Sequence, residues 1–265
     1  MRRIIALITD FGDSDYFVGA MKGVILSINP EVEIVDITHK ITPFDIFEAG
    51  FVLRSSFSFF PQKTIFVTVV DPEVGTKRKI LLAYYKNYYF IAPDNGILSL
   101  VVDEKEESTV ISVTSTHYFL PKVSGTFHGR DIMAPVASWL SKGINISSFG
   151  EICNDWVKLR FPEPKKIDYS TYEGEIIHID RFGNLITNIP SSLLTNEIFQ
   201  KGKGLKVEIG GKIIDKFKRT YSEAGIGEPV LIIGSSDFLE IGAFLKSAEE
   251  ILKVKKGEKF KLYFL

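Results

Sequence analysis

The chain of 265 residues has a single cysteine, Cys153, and no excess of charge of either sign. A lone cysteine excludes an internal disulfide and a cysteine-based metal cluster, so the expected location is the cytoplasm. Lys and Arg number 32 against 33 Asp and Glu, which gives a formal net charge of -1. Without a summed positive field, binding to nucleic acid or to a membrane surface is not expected.

Long hydrophobic runs and several common site motifs are also missing. The longest apolar stretches, such as residues 65–70, are far shorter than the roughly 20 residues of a membrane-spanning helix. The four histidines have no metal-ligand spacing, so no bound metal is expected. The absence of a Walker loop, of G-x-G-x-x-G after a strand and of G-x-S-x-G argues against the usual nucleotide sites and against a serine nucleophile on an elbow.

The first part of the chain has the pattern of an α/β fold. Short β-branched runs at residues 4–8, 32–37, 65–70 and 110–113 alternate with helical patterns at 16–27, 45–59 and 131–142. This spacing is typical of crossover units, and it predicts an N-terminal α/β domain over residues 1–160 with a mostly parallel central sheet. Between residues 81 and 92 the sequence predicts a hairpin that turns at Lys86 and Asn87.

The composition changes at residues 161–172, where two prolines, two lysines and small polar residues predict a linker. Beyond it, alternating apolar runs occur at residues 174–179, 205–209, 229–233 and 259–264, with glycines between them. This pattern predicts a smaller, mainly β domain over residues 173–265, either a barrel or a sandwich.

Polar residues that directly follow buried strands are site candidates, because ligands of open α/β sheets collect beyond the carboxyl ends of the strands. Asp10 follows the first run and could accept hydrogen bonds from a ribose diol, or could simply cap a turn. Asp71 follows the third run, and Arg78 lies seven residues later. Arg78 could hold the Asp71 carboxylate through a bidentate contact, either for catalysis or only to fix the loop.

Two further candidates in the first domain lie in loops. His128 stands in the segment Ser-Gly-Thr-Phe-His-Gly-Arg-Asp just before a predicted helix, where Gly125 and Gly129 would let a small ligand approach backbone N–H groups. The alternative is a histidine whose hydrogen bonds are satisfied within its loop. Phe44 could stack on a ligand, or it could belong to the core.

The second domain has two candidate segments. Asp180, Phe182 and Asn184 follow a strand-like run, and there the amide could read a purine edge while the aromatic ring stacks on it. The alternative is a β-turn with a buried phenylalanine. Ser235 and Ser236 follow another apolar run and offer hydroxyls to a ligand carboxylate, or form a polar turn.

An ordered set of motifs extends over nearly the whole chain: Ile-Thr-Asp-Phe-Gly at 8–12, Tyr-Phe-Val-Gly-Ala-Met-Lys-Gly at 16–23, Val-Asp-Ile-Thr-His at 35–39, Val-Asp-Pro-Glu-Val-Gly-Thr at 70–76, Pro-Asp-Asn-Gly at 93–96, Thr-Phe-His-Gly-Arg-Asp at 126–131 and Asp-Arg-Phe-Gly-Asn at 180–184. The set resembles the S-adenosyl-L-methionine hydroxide adenosyltransferase family, whose members are adenosine-forming S-adenosyl-L-methionine hydrolases related to fluorinase and chlorinase. The resemblance implies hydrolysis of S-adenosyl-L-methionine to adenosine and L-methionine at the ribose C5′, with no cofactor and no metal.

The resemblance also implies roles for individual residues. The family's water-activating residues match Asp71, Arg78 and His128. Its substrate contacts match Asp10 at the ribose, Phe44 as a stacking ring, Asp180 and Asn184 at the methionine amine and adenine, and Ser235 and Ser236 at the methionine carboxylate; Phe182 is a further substrate-binding candidate. One departure is Glu73, where the family usually has glycine, and this leaves the conformation of that loop open.

The resemblance further implies a C-terminal β-barrel and a homotrimer with its substrate sites at subunit interfaces. Two alternatives to hydrolysis stay open. A halide-using adenosyltransferase would be expected to have a tyrosine and a small hydroxyl residue in place of His128 and Gly129. A non-catalytic protein that binds adenosine or S-adenosyl-L-methionine would have the binding residues without the reaction.

Overall fold

The computed structural model describes residues 3–195 and 204–265. Contacts between residues divide the chain into two units, Met1–Arg160 and Phe161–Leu265. None of the helices in the described ranges is long and apolar enough to cross a membrane.

The first unit is an α/β unit built on one seven-stranded sheet, in the order β2-β1-β3-β5-β4-β6-β7. Its strands are β1 (Ile4–Thr9), β2 (Glu33–Thr38), β3 (Ile65–Val69), β4 (Ile80–Tyr85), β5 (Tyr88–Pro93), β6 (Ser108–Val113) and β7 (Gly150–Ile152). Its helices are α1 (Phe17–Ile28), α2 (Ile46–Ser56) and α3 (Ala134–Ser141).

The expectation of a mostly parallel sheet is not confirmed, because the sheet is mixed. Strand β1 is parallel to β2 and β3, and β3 is parallel to β5, whereas β4 pairs antiparallel with β5 and β6, and β6 pairs antiparallel with β7. The reversal starts at the predicted hairpin, which is confirmed: Lys86 and Asn87 have φ angles of 49° and 65°, the left-handed pair that a tight two-residue turn requires. The hairpin makes β4 antiparallel to β5, and from there to β7 each strand of the sheet runs opposite to its neighbour.

The parallel half of the sheet is covered on both faces. Ile5 and Leu7 of β1 belong to the core cluster that includes α1 and α3, whereas Ala6 and Ile8 belong to the cluster on the side of α2. Strands buried on both faces have continuous apolar sequences, which is why these runs were recognisable. In the β1–β3 register Thr9 lies opposite Val69, so Asp10 and Asp71 leave the sheet at the same edge.

Two predicted helices are confirmed with shifted ends, and the third differs in type at its start. The 16–27 prediction corresponds to α1, and the 45–59 prediction to α2 followed by a 3-10 turn at Phe57–Phe59. The 131–142 prediction begins instead with a π-helical turn at Gly129–Met133 before α3. Pro135 has no N–H to donate to the carbonyl of Asp131, and this carbonyl accepts a hydrogen bond from Leu120 N instead.

The second unit is an eight-stranded antiparallel sheet that curls into a nearly closed barrel. Its strands are β8 (Lys165–Lys166), β9 (Thr171–Ile179), β10 (Leu185–Pro190), β11 (Leu205–Ile209), β12 (Lys212–Ile214), β13 (Pro229–Ile233), β14 (Phe238–Ala243) and β15 (Lys259–Phe264). The order is β12-β11-β15-β9-β10-β14-β13, with β8 beside β9, and a bridge from Phe217 to Leu231 links the ends of this order.

Short helices α4 (Ser191–Leu194) and α5 (Ala248–Leu252) complete the described part of this unit. The four predicted runs correspond to β9, β11, β13 and β15, whereas β8, β10, β12 and β14 were not predicted. Residues 161–172, expected to be a linker, belong to the second unit and carry β8 and the first two residues of β9.

Candidate active site

A cavity of about 290 Å³ lies at the carboxyl ends of β1 and β3 in the first unit. We call it the β1–β3 cavity; it is lined by Asp10, Phe11, Phe17, Pro43, Phe44, Val69, Asp71, Val74, Thr126, Phe127, His128 and Gly129. Four of the residues singled out from the sequence, Asp10, Phe44, Asp71 and His128, therefore lie around one space, as expected for the carboxyl edge of an open sheet.

Asp71, Arg78 and His128 form one hydrogen-bonded group beside this cavity. Arg78 Nε donates to Oδ1 and Oδ2 of Asp71 at 2.8 and 2.9 Å, and Arg78 Nη2 donates to Asp71 Oδ2. The two side chains are only 5% and 4% exposed, for Asp71 and Arg78 respectively. The predicted bidentate contact is therefore present, and it fixes the orientation of the carboxylate.

His128 is held on the other side of the same guanidinium group. Arg78 Nη2 lies 2.9 Å from His128 Nδ1. Because a guanidinium group can only donate, Nδ1 must be the acceptor, which places the proton of the neutral imidazole on Nε2. Burial lowers the pKa of His128, and the Arg78 charge lowers it further, against the opposing effects of Asp71, Asp131 and a backbone hydrogen bond with Ser124. The hydrogen bond from Arg78 and the net lowering of the pKa both favour an uncharged His128.

The loops that carry Asp71 and His128 touch each other closely. Gly75 has a φ of +82°, and a Cβ atom built on it would lie 2.1 Å from the carbonyl oxygen of Gly125. Ser124 N donates to the fully buried Asp131 at 2.8 Å, which anchors the second loop to the π-helical turn. Glu73, the departure from the family pattern, is exposed and is not among the residues with a left-handed backbone, so this position does not require glycine.

The contact between these loops predicts that alanine destabilises the protein at Gly75 but not at Gly125. Gly75→Ala should lower the free energy of unfolding by about 1–3 kcal/mol, because it combines a left-handed backbone with a clash against a carbonyl oxygen. Gly125→Ala is the matched control, since its Cβ would have no atom within 4 Å and its backbone is not left-handed. Chemical denaturation of both variants measures the difference; equal stability would contradict the close packing of the loops.

Asp10 and Phe44 are joined by a hydrogen bond. Phe44 N donates to Asp10 Oδ2 at 2.9 Å, and Phe44 has a φ of 68°, a conformation that is strained for a bulky residue. Phe44 is 68% exposed, which argues against the alternative that it belongs to the core. Burial raises the pKa of Asp10, with the Phe44 N–H acting in the opposite direction. Asp10 thus fixes a strained residue that presents its ring to solvent.

The second unit has a larger cavity of about 660 Å³, which we call the barrel cavity. It is lined by Phe182, Asn184, Thr220, Tyr221, Ser222, Ala243, Phe244, Leu245, Lys246 and Ser247. Phe182 is 76% exposed, so the buried phenylalanine expected in the turn alternative is not observed, while Asn184 is buried and lines the cavity. Both residues therefore line the same cavity.

Asp180 organises the turn that carries these two residues. Its Oδ1 accepts hydrogen bonds from Phe182 N at 2.8 Å and Asn184 N at 2.9 Å, and its Oδ2 accepts one from Asn184 Nδ2 at 2.9 Å. Asp180 is not among the residues that line the barrel cavity. Its visible role is therefore that of a turn-forming aspartate, which was one of the two readings of the sequence.

Ser235 and Ser236 lie in the turn between β13 and β14, where Gly234 N donates to Phe238 O at 2.9 Å. Ser235 is exposed and Ser236 half-buried, and neither lines the barrel cavity.

Sequence analysis missed Tyr221 and Ser247, which do line the barrel cavity. Ser247 caps α5 by accepting a hydrogen bond from Glu250 N, so the Ser-Ala-Glu-Glu sequence gave a recognisable helix start, whereas Tyr221 carried no local signal.

Comparison with known proteins adds the family. Residues 5–150 match the N-terminal domain and residues 174–261 the C-terminal domain of the SAM hydroxide adenosyltransferases. The two matches cover most of the chain, with one domain model on each unit. The chain therefore belongs to the SAM hydroxide adenosyltransferase family.

Individual relatives agree with this. The chain is 37% identical to an (R)-S-adenosyl-L-methionine hydrolase of Methanocaldococcus jannaschii, over 95% of this chain and 92% of the relative. It is 30% identical to a fluorinase of an Actinoplanes species, over 90% of each chain. The crystal structure of an uncharacterized conserved protein from Thermotoga maritima is similar with a TM-score of 0.89 and 34% identity, over 98% of this chain and 99% of that one.

Proposed function

We propose that this protein hydrolyses S-adenosyl-L-methionine to adenosine and L-methionine by attack of water or hydroxide at the ribose C5′. The observation that carries the proposal is the Asp71–Arg78–His128 group at the β1–β3 cavity. The hydrogen bonds of this group fix a carboxylate and an imidazole beside a cavity that Asp10 and Phe44 also line. Membership of the family and the hydrolase relative support the same reaction.

In the proposed reaction only the nucleophile requires activation. Attack at C5′ breaks the bond to a sulfonium and releases methionine as a neutral thioether, so the leaving group needs no proton, and the reaction as proposed requires neither metal nor other cofactor. Water is a poor nucleophile, and holding it in line with the C5′–S bond while removing its proton would supply both orientation and general-base catalysis. Among the described residues no cluster of three or more His, Cys, Asp or Glu is placed to hold a metal ion.

The hydrogen bonds favour Asp71 over His128 as the acceptor of the water proton. His128 Nδ1 is occupied by Arg78, and its other nitrogen carries a proton, so the neutral ring has no free lone pair to offer. Asp71 keeps acceptor capacity on both oxygens, since a carboxylate has about four lone-pair sites. In this proposal Asp71 takes the proton, Arg78 orients Asp71, and His128 holds the water.

The cavity linings support substrate roles for Asp10, Phe44, Phe182 and Asn184, whereas those of Asp180, Ser235 and Ser236 rest on the family alone. In the first unit Asp10 binds the ribose diol and Phe44 stacks on the ligand. In the second unit Phe182 and Asn184 contact adenine, Asp180 the methionine amine, and Ser235 and Ser236 the methionine carboxylate. We further propose a homotrimer with sites at subunit interfaces and a cytoplasmic location, the latter because the single cysteine suits a reducing compartment.

One assay separates this reaction from the alternatives. The purified protein is incubated with S-adenosyl-L-methionine in chloride-containing and chloride-free buffer, and products are separated by chromatography. Adenosine and methionine in both buffers would support hydrolysis. A 5′-halogenated adenosine, which the fluorinase relative makes worth testing, would identify a halide-using adenosyltransferase instead. Bound but unchanged ligand would indicate a non-catalytic binding protein.

Asp10→Ala is expected to weaken the binding of adenosine and of S-adenosyl-L-methionine by a similar factor, because both contain the ribose diol. Loss of a hydrogen bond to a charged group corresponds to about 1.5–3 kcal/mol, or roughly ten- to a hundredfold in Kd. Calorimetry with both ligands measures it, and Asp13→Ala, at an exposed carboxylate nearby in the sequence, is the control. A loss confined to one ligand would refute the ribose assignment.

The lowered pKa of His128 predicts how stability depends on pH. The unfolded chain takes up a proton near the ordinary value of 6.5, whereas the folded protein resists it. At a pH between the lowered pKa of folded His128 and the ordinary pKa of the unfolded chain, the unfolded state binds more protons than the folded state. The free energy of unfolding therefore falls as the pH drops below about 6.5. Unfolding of the parent and of His128→Asn is compared from pH 8 to 5. The parent should lose more stability than the variant, and parallel curves would show that His128 titrates normally.

A further inference from the structure

A buried carboxylate that the proposed chemistry does not use lies behind the wall of the barrel cavity. Glu240 in β14 is 6% exposed and accepts a hydrogen bond from the hydroxyl of Tyr221, which lines the cavity. Burial raises the pKa of Glu240, the Tyr221 hydroxyl opposes this shift, and the nearby Asp180 carboxylate adds to it. Burying a carboxyl group costs free energy unless it is hydrogen-bonded, and the Tyr221 hydroxyl supplies such a hydrogen bond to Glu240.

Two glycines make room for this pair. A Cβ on Gly242 would lie 2.3 Å from Cε1 of Tyr221, so the aromatic ring lies directly against the backbone of β14. A Cβ on Gly234 would lie 2.3 Å from Oε2 of Glu240. Because side chains alternate along a strand, Glu240 and Gly242 are on the same face of β14. The Tyr221 ring therefore covers Gly242 while its hydroxyl reaches Glu240, and both ends of the ring are fixed.

The cavity residues next to the ring are held by the same arrangement. The Cβ that Gly242 lacks would also lie 2.9 Å from Oδ1 of Asn184, so Asn184 and Tyr221 share the space over this glycine. Asn184 is in turn bonded to Asp180. A shift of the Tyr221 ring would therefore change the cavity at the position of Asn184.

We propose that Glu240 is a positioning residue that holds the Tyr221 ring in the wall of the barrel cavity, where the ring forms one side of a nucleobase site. The inference rests on the proposed function, because it takes adenine as the occupant of this cavity. Glu240 itself does not bind the ligand: one oxygen accepts the Tyr221 hydrogen bond and the other lies against Gly234. Its effect passes through the tyrosine hydroxyl.

The decisive variant is Tyr221→Phe, which removes one oxygen atom and keeps the ring. The KM for S-adenosyl-L-methionine and the Kd for adenosine should each rise by about five- to tenfold, while kcat stays within about a factor of two. Glu240→Ala should have a similar effect, and Glu240→Gln a smaller one because it keeps an acceptor oxygen. The double variant Tyr221→Phe with Glu240→Ala should be no weaker in binding than either single variant, since both remove one interaction.

The same unit offers a matched control. Tyr263 donates to Glu208 at 2.8 Å in an exposed tyrosine–glutamate pair. Tyr263→Phe deletes the same kind of hydrogen bond and should leave KM and Kd unchanged. If Tyr221→Phe lowers only the unfolding temperature and leaves both constants at their parent values, the pair is structural and the inference is overturned.

The binding measurement separates failure of this inference from failure of the proposed function. Should the parent bind adenosine without hydrolysing S-adenosyl-L-methionine, the proposed reaction is wrong, but an increased adenosine Kd in Tyr221→Phe still supports Glu240 as a positioning residue. Should the parent hydrolyse the substrate and Tyr221→Phe match it in every constant, the proposed reaction stands and the inference falls.

Discussion

Replacing Asp71 is expected to lower the rate of adenosine formation by about 10²- to 10⁴-fold, the usual contribution of a general base. The preferred variant is Asp71→Asn, because Asp71→Ala would leave the buried Arg78 guanidinium without its partner and could reduce stability by several kcal/mol. Asparagine keeps the size and one acceptor oxygen but cannot take a proton from water. Single-turnover assays with excess enzyme measure the chemical step directly.

Arg78 and His128 are tested in the same assay. Arg78→Lys keeps the charge but cannot make the two-nitrogen contact with Asp71, so a large loss with lysine would show that orientation matters rather than charge alone. His128→Ala removes the proposed partner of the water. Glu104→Ala, at an exposed ion pair of the same unit, is the control and should retain the parent rate. If Asp71→Asn, Arg78→Lys and His128→Ala all stayed within a factor of two of the parent, the proposed water-activating group would be wrong.

The sequence allowed part of this group to be predicted. Asp71 and Arg78 are seven residues apart in one loop, and a strand end followed by a short loop with a glycine made their contact foreseeable. The contact of Arg78 with His128 joins residues 50 positions apart. That contact depends on how the loop after β3 packs on the loop before the π-helical turn, through Gly75 and Gly125. Local patterns contain no information on such packing, so they identified His128 only as an unusual loop histidine, and its place beside Asp71 and Arg78 was predicted from the family resemblance alone.

Strands β10 and β14 were missed for a related reason. Both contain buried polar residues that break an apolar strand pattern: Thr187 and Asn188 in β10, and Glu240 in β14. Each is satisfied by a distant partner, since Thr187 Oγ1 donates to Leu239 O, Asn188 Oδ1 accepts from Glu175 N, and Glu240 accepts from Tyr221. Burial of these polar residues is possible because residues distant in the sequence satisfy their hydrogen bonds. A prediction based on local hydrophobicity does not include such contacts and therefore misses the strands. In the strands that were predicted, β11 and β15 alternate buried apolar with more exposed polar residues, and β13 is apolar throughout.

The proposed substrate-binding residues divide between the two units of the chain. One site could take both sets of residues from a single subunit or from two different subunits. Asp10, Phe44, Asp71 and His128 are in the first unit, and Asp180, Phe182, Asn184, Ser235 and Ser236 are in the second. Under the proposed homotrimer, each site takes its first-unit residues from one subunit and its second-unit residues from the next. A ring with this head-to-tail arrangement can be tested by complementation.

Mixing two inactive variants should restore activity. One chain carries Asp71→Asn, and the other carries Asp180→Ala with Asn184→Ala, so each has one intact half. If the trimer exchanges subunits at random and each site is shared between neighbours, both halves are intact with probability one half each, and about a quarter of the parent activity should appear. Mixing each variant with itself is the control. Mass spectrometry of differently tagged chains verifies that mixed oligomers form, and inactivity of verified mixtures would place each site within a single chain.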